Sequence, residues 1–287
     1  MILPNTFSPE LESKELLVRA VHFSDNEYNR LHLVIISGNV YVFCANDRGA
    51  DLYIVDSGGA KQAADNKVLA GPIHFAEGKV SGVVGHYLGK MKIRAFYNLN
   101  GENFYIDFDA KAGAFEAEAH SFGVNGIPFD MNKTIHAEPI MSVLTDKGAA
   151  MVKLNPELTA AVSEQVIEGA VSAQFADKDR GGYFAFVDFG GYAKLMESEN
   201  GSDWTAISEE KTIAGRPTFT RIGRTYYLGE QTEQGYKISV SYDCKHFETL
   251  HKFGADTKIG DYVIYEWDCI LHGAALLDNK PIVSRLR

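Results

Sequence analysis

The chain has 287 residues, 45% of them hydrophobic, and a formal net charge of −10. That length and apolar content suffice for one all-β domain with its own core. The acidic balance argues against a nucleic-acid partner, whose phosphates call for a basic surface. No run of about 18 apolar residues is present to span a bilayer, and the opening MILPNTFSPELESKELL lacks the basic start and apolar stretch of a secretory leader. The three cysteines (Cys44, Cys244, Cys269) are odd in number and lack metal-ligand spacing, so they read as free thiols.

In chain order, residues 1–14 are a polar, proline-punctuated arm, and 15–23 (ELLVRAVHF) have the pattern of a strand. Residues 31–37 (LHLVIIS) form the nearly continuous apolar run of a strand buried on both faces, followed by strands at 40–44 and 52–55 around the turn Asn46-Asp47-Arg48-Gly49. The next unit opens at Ala70-Gly71-Pro72 and runs through IHFAEG, VSGVVGHYLG and MKIRAFY to the polar turn NLNGENF at 98–104. A less regular unit follows, with an inserted loop within 115–131, strands at 139–144 and 149–154, and 158–167 as an outer strand rather than a helix. Strands at 183–189 and 192–196 flank Gly190-Gly191 and lead to the turn SENGSDW at 198–204.

The clearest copy spans 214–247. Strands at 217–222 and 224–229, rich in aromatic and β-branched residues, precede a polar turn and the period-two strand YKISVSY at 236–242. The unit closes on Ser241-Tyr242-Asp243-Cys244-Lys245-His246-Phe247, where Ser and Asp side chains hold the turn over an aromatic plug. The tail repeats three of these strands at 269–271, 274–277 and 282–286.

Repeated strand units of about 48 residues predict a β-propeller. The blades expected are 28–66, 70–110, 112–164, 168–210, 213–254 and 259–287, the last completed by the strand at 15–23, which removes the exposed edges of an open ring. A six-bladed, single-domain, all-β propeller is the reading; five blades is the alternative.

The S-x-[DN]-G-x-x-aromatic turn at 198–204, its variant at 241–247 and a looser copy at 98–104 resemble the Asp-box of the bacterial-neuraminidase repeat, found in enzymes and binding proteins alike. That resemblance implies the fold unit and no particular chemistry. More faintly, the AGRP segment at 214–217 and EWDC at 266–269 are similar to the five-bladed arabinanase and invertase-type glycosidases, whose carboxylates sit on inner strands. The Asn-Asp-Pro or Arg-Asp-Pro motif of that group has no counterpart here. The Phe/Tyr-Arg-Ile-Pro motif of sialidases is also absent, and of Arg19, Arg30, Arg216 and Arg285 nothing singles out a substrate-binding triad.

Polar residues near the expected channel entries are His74, Asp130, His136, Glu138, Arg216, Glu266 and Asp268. Alternation sends Glu266 and Asp268 to one face beside Trp267, the residue types glycoside hydrolysis needs as acid, base and sugar platform; lining a wet channel is the plainer role for them. Arg216, His74, Asp130, His136 and Trp267 are the expected ligand contacts. His74, His86 and His136 have no i, i+2 or i, i+4 partner, so no metal is expected, and no phosphate loop or nucleophile elbow implies a cofactor or a serine hydrolase. With no complete catalytic motif, the expectation is a non-catalytic binding or assembly module presenting loops to a protein or glycan, in the cytoplasm or as part of a virion such as a phage tail. The alternative is a glycoside hydrolase using Glu266 and Asp268.

Overall fold

Six antiparallel sheets succeed one another along the chain. The computed structural model describes residues 21–56, 67–132, 138–178, 181–252, 259–267 and 270–286, with the backbone alone for residues 21, 267, 270, 285 and 286. The innermost strands are Arg30–Ile36, Val80–Gly89, Ile127–Met131, Ser172–Asp177, Thr218–Ile222 and Ile259–Trp267. Each neighbours the next in chain order and the last lies against the first, so the sheets are the blades of a six-bladed propeller around a channel. The five-bladed alternative is excluded.

Each pair of adjacent blades shares one hydrophobic cluster. Tyr41 and Phe43 of blade 1 meet Val83, Ile93 and Phe108 of blade 2, and the last such cluster packs Val263, Tyr265 and Val283 of blade 6 against Val40 and Val42 of blade 1. A blade covered on both faces explains why its middle strands read as apolar runs rather than alternations. In Asn39–Asn46 the six inner positions are all buried.

Inner strands splay apart along the channel, which leaves backbone donors without a ladder partner. Side chains reach across to meet them. Asp261 Oδ2 accepts from the Leu31 amide at 2.9 Å, His32 Nδ1 from Gly85 at 3.2 Å, Asp130 Oδ2 from Phe175 at 3.0 Å and Gln174 Oε1 from Phe219 at 2.5 Å. These contacts stitch blade 6 to 1, 1 to 2, 3 to 4 and 4 to 5.

The N-terminal strand closes the ring as its position predicts. Val21–His22 pairs antiparallel with Lys280–Leu286, Val21 opposite Val283 and His22 opposite Ile282, adding a fourth strand to blade 6. Two boundaries differ from expectation. Ala114–Phe115 and His120–Ser121 do not open blade 3 but pair with Glu102–Asp109 in blade 2, and blade 3 begins at Ile127. Val68–Glu77 does not open blade 2 but pairs with Gly49–Asp56 as the outermost strand of blade 1, and blade 2 begins at Val80. Pro72, lacking an N–H, is tolerated there because an outermost strand has one edge without a ladder.

The turn at 198–204 is held by its own side chains. Ser198 Oγ accepts from the Gly201 amide at 2.8 Å, and Asn200 Oδ1 from Ser202 and Asp203 at 2.9 and 3.0 Å. Beneath it Trp204 is 4% exposed and donates from Nε1 to the Gly201 carbonyl at 3.2 Å. Gly201 sits at φ 74°. In the sister turn Asp243 Oδ1 accepts from Lys245 and His246, and Cys244 takes the left-handed position at φ 60°. There Cys244 is the buried residue, and Phe247 is only half-buried, less than the aromatic plug expected of it.

Candidate functional site

The first residues of the inner strands, together with the ends of their antiparallel partners, converge at one end of the channel, here called the entry end. Arg30 begins the inner strand of blade 1, Arg216 lies two residues before that of blade 5, and Asp261 is the third residue of that of blade 6. Asp188 ends the second strand of blade 4, and its pairing with Ser172 brings it back to the start of that blade's inner strand.

Asp261 is the hub. Its carboxylate lies 3.2 Å from Arg30 Nε and 2.5 Å from Arg216 NH1, besides accepting the Leu31 amide. Burial works against its ionisation, but Arg30, Arg216 and the amide together outweigh burial and hold the carboxyl below the ordinary aspartate range. Both guanidinium groups stack on the Phe129 ring, with Cζ to centroid distances of 4.3 Å for Arg30 and 4.9 Å for Arg216. Arg30 also donates to the Phe129 carbonyl at 3.1 Å. Burial, with repulsion from Arg216, pulls the Arg30 guanidinium down to about 10, so it stays charged at neutral pH. Arg30 is buried, whereas the Arg216 side chain is 38% exposed, which makes Arg216 the cation of this cluster open to a ligand.

Asp188 faces the same Arg216 with the opposite outcome. Burial raises its carboxyl above the ordinary range, and the Gly190 amide at 2.7 Å, the Ser172 hydroxyl at 3.4 Å and the charge of Arg216 only partly offset that. The entry end thus holds two carboxyls displaced in opposite directions beside one accessible arginine.

Deeper in the channel, His32 Nδ1 accepts the Gly85 amide, which leaves the Nε2 proton to face Asp130 Oδ1 at 3.4 Å. At the far end the inner strands of five blades leave a cavity of about 280 Å³, lined among others by Ile35, His86, Ile222, Ile264 and Glu266.

Of the residues singled out in the sequence, Arg216 belongs to the entry cluster and Asp130 to the channel interior. His74 does not line the channel: it lies on the outermost strand of blade 1, its Nδ1 2.9 Å from Asp51 Oδ1, because the segment carrying it is an edge strand. Glu266 is exposed and borders the cavity at the far end. Asp268, His136 and Arg19, and the side chains of Trp267 and Arg285, lie outside the described residues. Glu138 is exposed and pairs with Lys153 at 2.5 Å. Asp261, Asp188 and Phe129 were not singled out. Asp188 ends a second strand, and only counting the hairpin register back across the turn between Asp177 and Tyr183 would place it at a channel mouth. Among the described residues no group of three or more His, Cys, Asp or Glu side chains is placed to hold a metal ion, and no helix is long and apolar enough to cross a membrane.

No protein-family model matches the chain, and no curated protein matches it in sequence. Solved structures do match in fold. The GH43_1 enzyme from Xanthomonas citri complexed with xylose shares 10% identity over 96% of this chain and 92% of its own, with a TM-score of 0.53. A Trypanosoma rangeli sialidase with the inhibitor DANA superposes at a TM-score of 0.64 and 8% identity; the match covers 93% of this chain and 55% of the sialidase. The SapL1 lectin in complex with alpha methyl fucoside gives 0.59 at 12% identity over 87% and 89% of the two chains. At such identities the likeness is one of fold, and it places the chain among the β-propellers. Glycosidases predominate among these neighbours, with a β-xylosidase and further sialidases beside those described. That corrects the expectation of a non-catalytic binding or assembly module, because the fold's relatives favour the glycosidase alternative. The absence of a complete motif was a weak ground for preferring a non-catalytic module, since residues brought together from separate blades leave no contiguous signature.

Proposed function

We propose that the protein is a glycoside hydrolase whose active site is the entry end of the channel. The observation that carries this reading is the pair of carboxyls displaced in opposite directions around Arg216. Cleavage of a glycosidic bond needs one carboxyl that is protonated when the leaving oxygen departs and one that is ionised to act on the anomeric centre or on water. Asp188, with its raised pKa, is the general acid. Asp261, held ionised by Arg30 and Arg216, is the carboxylate. Arg216 contacts the sugar hydroxyls, and the Phe129 ring under both guanidinium groups keeps them in place. The fold neighbours that bear the names xylosidase and sialidase support a glycan as substrate. Glu266, at the opposite mouth, is the second carboxylate to test, since it was the acid first suggested by its strand.

The experiment is hydrolysis of aryl pentosides, hexosides and sialosides with good and poor leaving groups by the wild type, Asp188→Asn and Glu266→Gln. Loss of a general acid is worth about 10²–10⁴-fold and falls on poor leaving groups, while an activated aryl leaving group departs with little help. The reading predicts that pattern for Asp188→Asn and near wild-type rates for Glu266→Gln. Activity lost in Glu266→Gln and kept in Asp188→Asn would move the site to the other mouth.

A further inference from the structure

The cavity at the far end is separate from the cluster around Arg216 and is built differently. Its walls come from the last residues of five inner strands, with Ile35, Tyr87, Ile222 and Ile264 supplying apolar surface, and it encloses about 280 Å³. That volume lies just below the span of about 300–1,000 Å³ usual for drug-sized ligands and suits a body of about one ring.

Its polar groups divide clearly. The side-chain amide of Asn132 is engaged by the Glu138 carbonyl at 3.1 Å and the Ile140 amide at 2.9 Å. Arg221 also lines the cavity, but its guanidinium is engaged, donating to the Asp177 carbonyl at 3.3 Å and lying 5.8 Å from the Tyr226 ring centroid. Burial, with the charges of His32 and Arg94, lowers His86 to about 4, so its imidazole is uncharged at neutral pH and repels no cation. Glu266 is exposed at the rim and forms no ion pair or hydrogen bond among the described residues. An apolar chamber rimmed by a carboxylate without an ion pair among the described residues is complementary to a cation carried on an apolar body.

We propose that this cavity binds a small organic cation, an ammonium group on an apolar body of about one ring, with the ammonium on Glu266 and the ring against Ile35, Tyr87, Ile222 and Ile264. The neutral His86 offers a hydrogen bond within. The site does not depend on the glycosidase reading, because it is tested by binding in the absence of any glycoside.

The test is calorimetric titration of the full chain with benzylamine, benzyl alcohol and benzoate, which share the ring and differ in charge. Benzylamine is expected to saturate one site at least about tenfold more tightly than benzyl alcohol, as for a hydrogen bond to a charged group, and benzoate more weakly than either. Glu266→Gln should abolish the preference for the amine, and Ile222→Trp should remove binding of both by filling the chamber. If the tryptophan variant fails to fold, Glu266→Gln alone decides. No saturable benzylamine binding, equal binding of the alcohol, or a preference that survives Glu266→Gln overturns the proposal.

Discussion

The two mouths of the channel lie at opposite ends of the inner strands, yet they solve opposite problems. At the entry end charge is buried and paired: Asp261 is 7% exposed and touches two guanidinium groups that share one aromatic ring. At the far end Glu266 is exposed at the rim of an apolar chamber and has no ion pair among the described residues. Burial with partners shifts pKa values and fixes positions, which is what proton-transfer chemistry requires. Exposure beside apolar surface does neither, and it suits reversible binding. On the proposed reading, chemistry belongs to one mouth and recognition to the other.

The strongest way to break this contrast is to remove the hub. Asp261→Asn leaves Arg30 buried without its counter-charge, and breaking a buried pair costs about 3–5 kcal/mol. Urea unfolding should show that loss at neutral pH. Because the folded pKa of Asp261 is depressed, its contribution is complete above the unfolded value of about 3.9 and declines as pH falls through the folded value. The gap between wild type and variant should therefore narrow on acidification; a gap independent of pH would show that the charge is not what stabilises.

Asp188→Asn should act in the other sense. A carboxyl whose folded pKa is raised stabilises only while protonated, and that contribution is lost as pH rises through the folded pKa. At neutral pH the charged form is a burden, and asparagine keeps an acceptor for the Gly190 amide. Unfolding measurements should show stability unchanged or slightly raised while turnover falls, the exchange expected of a site strained for activity. A clear destabilisation would make Asp188 structural. The smallest effect belongs to Glu266→Gln, an exposed change without an ion pair among the described residues, expected within about 0.5 kcal/mol of the wild type. A larger loss would reveal an ion pair at the far mouth and erase the contrast.

Much of the architecture was legible because blades repeat. The aromatic strands of 217–242, the turn residues around Ser198 and Ser241, and the displaced N-terminal strand pointed to six blades and to their closure, as observed. The blade 1–2 boundary was misplaced because Ala70-Gly71-Pro72 mimics Ala214-Gly215-Arg216-Pro217, although only the second directly precedes an inner strand. The site was harder to see. Arg216 stood out by its position before a strand, but Asp188 and Asp261 are tied to the entry cluster through Arg216, 28 and 45 residues from them, and through burial that single-strand patterns do not encode. Glu266 and Asp268 drew notice because they are close in sequence, which in a ring of separate blades is little guide to which carboxylates act together.

In the proposed mechanism Asp188 supplies a proton beside an ionised Asp261, and the pH dependence of kcat/KM tests this most directly. Wild-type hydrolysis of an aryl glycoside with a poor leaving group should give a bell whose acid limb follows Asp261 and whose alkaline limb, above the ordinary aspartate range, follows Asp188. In Asp188→Asn the alkaline limb should vanish and the acid limb remain. A profile whose alkaline limb survives that substitution, or no turnover by the wild type on pentosides, hexosides and sialosides alike, would contradict it.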